Sequence, residues 1–324
     1  MATNFGDKAA RSSADVVRDW LDYGSPAGVR LGSPQTADGL TLIPIFHAGP
    51  ELDYITLADA QKQGSLQVTE LDEGGAVSAL VVENGSNLPV LMIDGEILIG
   101  LKQNRVLNTT ILVPPKTTLN VPVACVEAGR WRRTTARAAR ADYSLSPKIR
   151  ALKRHSVTLS ARAFGSFTAD QGAVWDEVAG HLGDLGVHSG TMAYSDIEKQ
   201  RRPEIEARLA QFQPQSGQTG VVALVDSVPV ALDMFDRAST LVQEWRGLIG
   251  SYIAESLVAK AGEASVDMAA IARWLRDAGA GEATSHRAVG LGETVSITGP
   301  EQDTSALVVD GVAVHIAAGP ALQV

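Results

Sequence analysis

Three kinds of feature are scarce or absent in this chain of 324 residues, and each absence excludes a class of protein. The only cysteine is Cys125, so no disulfide can form within the chain, as is usual for proteins of a reducing cytosol. No run of about eighteen apolar residues occurs, so we expect no membrane-spanning helix. The N-terminal residues lack a basic region followed by an apolar one, which argues against secretion. We therefore expect a cytoplasmic protein that does not enter a membrane.

Several motifs for catalysis and cofactor binding are also missing. The chain has no Gly-x-x-x-x-Gly-Lys-Ser/Thr phosphate loop, no Gly-x-Gly-x-x-Gly after a strand, and no Gly-x-Ser-x-Gly nucleophile turn. Its six histidines are scattered, and none has the spacing of zinc ligands. We therefore predict no metal site, and the sequence leaves any cofactor unknown.

The composition is that of an ordinary globular protein, but its charge is unevenly distributed. Hydrophobic residues make up 45% and charged residues 20% of the chain, whose net charge is −9. Residues 130–162 hold ten Lys or Arg side chains and a single acid, Asp142, so the remainder of the chain is strongly acidic. This basic segment is either a local anion site or a solvated, mobile loop, and the sequence leaves both interpretations open.

The pattern of residues predicts an appendage followed by one domain. Residues 1–36 look like an N-terminal appendage and linker, with a short helix capped by Ser13. Residues 37–324 are predicted to form a single α+β domain that is β-rich over 39–131, helix-rich over 168–280, and closed by strands over 288–317. The predicted fold class is α+β, with a strand-rich, sandwich-like N-terminal half packed against a helix-containing C-terminal half.

Short apolar or alternating runs predict the elements. Strands are expected at 40–46, 65–70, 77–83, 90–93, 96–101, 106–113 and 117–126, with one helix at 57–64. The Asp-Gly pairs Asp94-Gly95 and Asp310-Gly311 predict two hairpin turns. Further helices are expected after the capping residue Asp170, from Pro203 as a first helical residue, at 235–257, and at 266–277.

Four consecutive polar residues, Lys102-Gln103-Asn104-Arg105, interrupt an otherwise apolar, strand-like stretch. Burying such groups without partners costs several kcal/mol, so they face solvent, pair with one another, or await a ligand. Alternation along a strand would place Lys102 and Asn104 on one face and Gln103 and Arg105 on the other. Arginine and lysine near two amides suit phosphate and ribose recognition. The alternative is an edge strand protected from aggregation by its charges.

Two glutamates near this segment are candidate general bases. Glu96 follows Asp94-Gly95, whose simpler interpretation is the hairpin turn alone. Glu127 is the first residue of the run Glu127-Ala-Gly-Arg-Trp131. In this run the Arg130 guanidinium could bind two oxygens of an anion, and the Trp131 ring could stack on a nucleotide base. The alternative for Trp131 is that it fills a core, as most tryptophans do.

The remaining candidate is Gln171, at the predicted start of a helix. Free backbone N–H groups there could help to hold an anion, although helix capping needs no ligand. Cys125 lies close to Glu127 in sequence, but no adjacent histidine indicates an activated nucleophile.

The same residues resemble one known family. The run Asp94-Gly-Glu96, the stretch Gly100-Leu-Lys-Gln-Asn-Arg-Val-Leu-Asn-Thr109 and the stretch Val121-Pro-Val-Ala-Cys-Val-Glu-Ala-Gly-Arg-Trp131 are similar to the domain associated with ADP-ribosylglycohydrolases and rhodanese-phosphatases in bacterial gene neighbourhoods. The likeness extends to Gln171–Trp175, Ser189–Thr191 and 220–235. The family has no secure activity, so the resemblance implies only a role around ADP-ribose or other NAD-derived nucleotides.

Two functions from different classes follow from these observations. The first is binding, and possible hydrolysis, of an ADP-ribose-like nucleotide. Its phosphate would be held by Lys102, Arg105 and Arg130, its ribose by Gln103 and Asn104, and its base by Trp131, with Glu96 or Glu127 as general base. The second is a non-catalytic adaptor that docks a partner enzyme, either an ADP-ribosylglycohydrolase or a phosphatase. RNA binding through the basic segment ranks last, because the acidic body would repel a long polyanion.

Overall fold

A computed structural model describes residues 11–26, 28–71, 78–259 and 266–322 of the chain. Helices make up about as much of this part as strands do. The helices are α1 (Ser13–Leu21), α2 (Leu57–Lys62), α3 (Pro147–Phe164), α4 (Gln171–Asp184), α5 (Ser195–Leu209), α6 (Ala238–Ser256) and α7 (Met268–Gly279).

The strands fall into two groups along the chain. The first group is β1 (Arg30–Leu31), β2 (Gln35–Ala37), β3 (Leu40–Phe46), β4 (Ile55–Thr56), β5 (Leu66–Glu70), β6 (Ala79–Asn84), β7 (Val90–Met92), β8 (Glu96–Ile99), β9 (Arg105–Leu107), β10 (Ile111–Val113), β11 (Thr117–Cys125) and β12 (Ala139–Ser144). The second is β13 (Gly220–Val225), β14 (Val228–Phe235), β15 (Glu282–Arg287), β16 (Glu293–Thr298), β17 (Gln302–Val309) and β18 (Val312–Pro320).

The largest sheet joins both ends of the chain. Its order is β1-β3-β13-β14-β18-β17-β16-β15, with β2 paired to β3 at one side. Ile43 and Ile45 pack with α1 and α7, whereas Leu40 and Leu42 on the opposite face pack with α6. Because side chains alternate across a strand, this sheet is buried on both faces between helices.

Strands β4 to β12, from the N-terminal half of the chain, form two smaller sheets. A six-stranded sheet has the order β12-β8-β9-β11-β6-β5, and a three-stranded sheet has the order β10-β7-β4. Both sheets contribute side chains to one apolar cluster, for example Val121 of β11 and Met92 of β7. The other face of the six-stranded sheet packs against α3 and α4 through residues such as Val106 and Val178. The α+β class is therefore confirmed, and the sandwich-like packing appears in the N-terminal half.

Strand 106–113 and the first Asp-Gly hairpin were predicted wrongly for one shared reason. Residues 108–110 break the predicted strand, so that β9 and β10 lie in different sheets. The turn at Asp94-Gly95 does form, with the Glu96 N–H donating to Ile93 O at 3.0 Å, but β7 and β8 on either side also join different sheets. The chain crosses between sheets at both points. The hairpin at Asp310-Gly311 is confirmed, with Val309 opposite Val312.

The start of the Pro203 helix was also predicted wrongly. Pro203 lies inside α5, which begins at Ser195 and carries Asp196 and Glu198 in its first turn. Acidic side chains near the helix N-terminus favour that earlier start through the helix dipole. The helix therefore accommodates a proline that cannot donate to the preceding turn.

The described part of residues 1–36 is integrated into the fold. Trp20 and Leu21 of α1 are buried in the core, and β1 and β2 pair with β3. The cap of α1 is Ser12 rather than Ser13, and its side chain accepts from the Asp15 N–H. Within the described ranges, no helix is both long and apolar enough to cross a membrane.

Candidate functional site

Lys102–Asn104 lie in a turn between two central strands, and Arg105 is the first residue of the second of these strands. β8 and β9 pair through Ile97 with Val106, and β9 pairs on its other side with β11. Within the described part of the chain β9 is thus an inner strand, and the edge-strand interpretation is wrong. Leu101 takes a left-handed conformation with φ of 53°, so regular alternation begins only after it.

Arg130 ties this turn to the loop that follows β11. Its Nε and Nη2 atoms pair with the two carboxylate oxygens of Glu127 at 2.8 and 2.6 Å. It also donates to the carbonyls of Leu101 and Gly100 at 2.9 and 3.2 Å, and to Asn104 Oδ1 at 3.1 Å. The guanidinium that was expected to hold phosphate is therefore occupied by the protein itself.

Glu127 is the centre of the same network. Besides Arg130, it accepts from the Asn104 N–H and the Thr191 hydroxyl, both at 3.1 Å. Four donors thus converge on one carboxylate, which is 5% exposed. Such a carboxylate is well held in place, but it has little capacity left to accept a proton from a ligand.

The loop after β11 is joined closely to the loop before α5. The Gly129 N–H donates to Thr191 O at 2.8 Å, and Glu127 forms a bridge with Ala193. A Cβ at Gly129 would lie 2.9 Å from the Thr191 Cα, so the two backbones approach closely only because residue 129 is glycine.

These loops border a cleft of about 280 Å³, which we call the Glu127 cleft. Asn104, Glu127 and Arg130 line it, so three of the sequence-predicted residues do meet at one opening. The remaining lining consists of the apolar side chains Ile99 and Ala193 and of hydroxyl, charged and backbone groups, none of which was proposed from the sequence as ligand-binding or catalytic. They include Gly100, Thr134, Tyr143, Thr191, Ser195, Asp196 and Lys199.

Gln103 and Arg105 do not line the Glu127 cleft, whereas Asn104 does, which agrees with the alternation prediction for these three residues. The Gln103 side chain donates to Glu127 O at 2.9 Å and accepts from Arg105 Nη1 at 3.1 Å. Gln103 is 4% exposed, so its side-chain amide makes its hydrogen bonds within the protein. Arg105 is wholly buried, and its Nε and Nη2 atoms have no hydrogen-bond partner.

Trp131 lies beside Lys102 and Arg105 and outside the lining of the Glu127 cleft. The ring is half exposed, so the core-filling interpretation of Trp131 is wrong. Lys102 Nζ lies 5.4 Å and Arg105 Cζ 5.9 Å from its centroid, within the range of cation–π contacts. Lys102 thus joins Arg105 rather than Asn104, contrary to the alternation prediction, because the turn at Leu101 is not a regular strand.

Gln171 and Glu96 both act within the protein. The Gln171 side chain accepts from the Cys125 N–H at 2.7 Å and donates to Cys125 O at 2.8 Å, while Asp170 caps α4. Glu96 is 2% exposed; one of its oxygens accepts from the Ile93 N–H at 2.6 Å and the other pairs with Arg140. The catalytic and anion-binding roles of these residues stay predictions.

The basic segment is a loop only in its first part, where Arg132, Arg133 and Arg137 are exposed. It contains β12 and α3, and Arg150, Lys153 and Arg154 of α3 are buried between the two halves of the fold. Lys153 pairs with Asp94, and Arg150 pairs with Asp233. Their i, i+3, i+4 spacing on one helix face was the sequence signal for this arrangement.

The electrostatics of this buried network are balanced. Burial alone would raise the pKa of Asp94, but the charges of Lys153, Arg150 and Arg154 outweigh it and lower that pKa. The pKa of Asp233 is lowered likewise, mainly by Arg150 against its own burial. The network pairs its charges internally, and we regard it as structural.

Comparison with known proteins places the chain in one family. No curated protein and no solved structure matches it. Among the described residues, no cluster of three or more His, Cys, Asp or Glu side chains could hold a metal ion. Residues 28–318, which include the whole lining of the Glu127 cleft, match the model of ARPP-1, the ARG and Rhodanese-Phosphatase-superfamily-associated Protein domain, and the chain belongs to this family.

Proposed function

We propose that this protein binds an NAD-derived nucleotide of the ADP-ribose type at the Glu127 cleft and the adjoining face of Trp131. The observation that carries the proposal is the position of Trp131. A half-exposed indole lies against two cations, and the preceding residue in the chain, Arg130, lines the Glu127 cleft. An exposed aromatic face next to cations suits a base and its phosphates.

The size of the cleft limits what it can hold. Pockets for whole drug-sized ligands usually measure about 300–1,000 Å³, so a cleft of about 280 Å³ suits one part of a nucleotide. Thr191 Oγ1 and Ser195 Oγ line the cleft and would accept hydrogen bonds from ribose hydroxyls, whereas the Asn104 amide already bonds to Arg130 and Ser195. The base would lie outside the cleft, against Trp131.

The geometry supports binding more than turnover. Glu127 accepts from four donors, and Glu96 is buried beside Arg140, so neither offers a free oxygen to activate water. The family name associates this domain with ARG and rhodanese-phosphatase proteins, which fits a protein that binds their substrate or product class. Hydrolysis remains a prediction, tested by incubating the wild-type protein with ADP-ribose and NAD and separating the products.

Calorimetry of the purified protein with ADP-ribose, NAD and AMP tests the binding proposal. We expect the wild type to bind at least one of them and Trp131→Ala to bind it about tenfold more weakly, since stacking contributes on the order of 1–3 kcal/mol. Phe164→Ala is the matched control, because Phe164 is 83% exposed and lies at the end of α3. Absence of heat with the folded wild type at millimolar ligand would rule the proposal out.

A second candidate function is docking of a partner enzyme, and one observation favours it. Met192 is 49% exposed, takes a left-handed conformation with φ of 49°, and lies on the loop joined to Gly129. Trp131 and Met192 therefore present exposed apolar side chains on two connected loops, as docking residues do. Co-elution of the protein with a purified ADP-ribosylglycohydrolase, abolished by Met192→Glu with nucleotide binding intact, would support this function.

A further inference from the structure

Arg105 differs from the other buried arginines of this protein. Its exposed fraction is zero, and its one hydrogen bond runs from Nη1 to Gln103 Oε1. Arg150 and Arg154, which are also buried, each have a carboxylate oxygen within 4.0 Å. Among the residues that the structure describes, none offers Arg105 a carboxylate at that distance.

Two described acids, Glu127 and Glu70, act on Cys125 together with Arg105 and so lie in its neighbourhood. Glu127 is occupied by Arg130, Asn104 and Thr191. One oxygen of Glu70 accepts from the Lys102 N–H at 3.0 Å; the other is buried without a hydrogen-bond partner and does not come within 4.0 Å of the Arg105 guanidinium. A guanidinium that is desolvated without an opposite charge is costly, and proteins normally supply a partner for it. Among the described residues Arg105 thus has no carboxylate in direct contact, and a bound anion would supply one.

The two unpartnered nitrogens identify the kind of partner. Nε and Nη2 form one edge of the guanidinium, and their N–H groups point the same way. This edge is the fork that binds two oxygens of a phosphate or a carboxylate at once. The Trp131 ring centroid lies 5.9 Å from Arg105 Cζ, and this ring is half exposed, so one neighbour of the guanidinium is a side chain with room to move.

We propose that Arg105 is the phosphate subsite of this protein, reached by displacement of the Trp131 ring, and that Arg130 and Glu127 only shape the adjoining cleft. The identity of the whole ligand rests on the function proposed above, but the subsite itself does not. Of the three cations expected from sequence to hold phosphate, Arg105 is then the one that pairs with it.

The chain contains a reporter for this subsite. Cys125 is the only cysteine and is the register partner of Arg105 across β9 and β11. Side chains of directly opposed residues lie on the same face, about 4.5–5.5 Å apart at Cβ. Cys125 is buried, and burial raises the pKa of its thiol to about 11, with Arg105 acting in the opposite direction. Its reaction with a thiol reagent at alkaline pH therefore reports how often this side opens.

The first experiment measures the rate of Cys125 labelling in the folded wild type. We expect inorganic phosphate and pyrophosphate to slow labelling, and Trp131→Ala to speed it. Acetate at equal ionic strength is the control anion. Labelling that is unchanged by saturating phosphate and pyrophosphate, or that is slowed equally by acetate, would overturn the proposal.

The second experiment uses Arg105→Met, with Arg133→Gln as control because Arg133 is an exposed arginine in the loop that holds Trp131. Without ligand, Arg105→Met should melt at the same or a higher temperature, since it removes an unpaired buried charge. It should bind pyrophosphate at least about tenfold more weakly, and Arg133→Gln should bind like the wild type. Unchanged pyrophosphate affinity in Arg105→Met contradicts the subsite. Should Arg105→Met not fold, Arg105→Lys is compared instead and is expected to lose affinity because lysine lacks the fork.

The two proposals fail separately. Binding of pyrophosphate that depends on Arg105, without binding of any NAD-derived nucleotide, keeps the subsite and removes the proposed function. Equal binding of ADP-ribose by wild type and Arg105→Met keeps the proposed function and removes the subsite.

Discussion

Arg150 and Asp233 form a buried two-pronged ion pair, with Nη1–Oδ2 and Nη2–Oδ1 distances of 2.9 and 2.7 Å. The pair joins α3 to β14 and so connects the basic segment to the largest sheet. Tyr252 and His315 also hydrogen-bond to Asp233. All four residues are buried.

Asp233→Asn should therefore be strongly destabilising. Removing one charge leaves Arg150 buried and uncompensated, which costs on the order of 3–5 kcal/mol of unfolding free energy. The double variant Arg150→Met with Asp233→Asn should lose less unfolding free energy than the two single variants lose together. Urea unfolding measures each. The control is Asp142→Asn, which breaks an exposed two-pronged pair with Arg202 and should cost about 1 kcal/mol or less. Equal costs at Asp233 and Asp142 would contradict this account.

The two Asp-Gly turns provide a matched pair of glycine substitutions. Gly95 and Gly311 have φ of 89° and 78°, so alanine at either position suffers a left-handed strain of about 1–2 kcal/mol. A Cβ at Gly95 would also lie 2.6 Å from Arg150 Nε, whereas nothing lies within 4 Å at Gly311. Gly95→Ala should lower the melting temperature clearly more than Gly311→Ala. A smaller effect at Gly95 would mean that Arg150 moves aside freely.

Glu244 should make stability depend on pH. Its burial, and then the charge of Glu96, raise its pKa from 4.5 to about 8, although Arg140 opposes this shift. The folded protein then holds a proton that the unfolded chain releases above about pH 4.5, so this group lowers stability as pH rises from about 5 to about 8. Above that window its contribution is constant.

Urea unfolding at several pH values checks this effect. Glu244→Gln should flatten the decline between about pH 5 and pH 8, because glutamine does not titrate. Glu204→Gln, at a side chain that is 41% exposed, should leave the profile unchanged. A decline that persists unaltered in Glu244→Gln would assign it to another group.

Gln171→Ala should destabilise the site without touching the cleft lining. The change removes two hydrogen bonds to the Cys125 backbone, each worth about 0.5–1.5 kcal/mol, so the expected loss is about 1–3 kcal/mol. Gln63→Ala, at an exposed position after α2, is the control. If Gln171→Ala instead left stability unchanged and weakened nucleotide binding, the anion-binding prediction for Gln171 would be the better account.

Much of the local structure followed from the sequence. The boundaries of β3 agree with the prediction, and the predicted α2 and α7 are present, because their periodicity and caps are local properties. The polar segment 102–105 was recognised because charged and amide groups in an apolar stretch require partners. Alternation along a strand also predicted that Asn104 would face a different side from Gln103 and Arg105, and of the three only Asn104 lines the cleft.

The roles within the site were not accessible in this way. Arg130 and Arg105 look equivalent as residues of one motif, yet Arg130 is fully paired and Arg105 is not. The difference depends on Glu127, Thr191 and Gly129 meeting across two loops that are far apart in sequence. Contacts between such distant residues leave no periodic pattern in the sequence.

The sequence by itself determined which segments form strands and helices, and that a polar cluster would interrupt a buried sheet, because backbone propensity and the cost of burying polar groups act on neighbouring residues. Only the tertiary structure decided which charges are paired. Arg150, Lys153 and Arg154 look like solvated residues of a basic segment, but α3 lies between two sheets, where Asp94 and Asp233 arrive from opposite sides. Electrostatic pairing depends on distance in space, and this distance is set by packing of the whole chain.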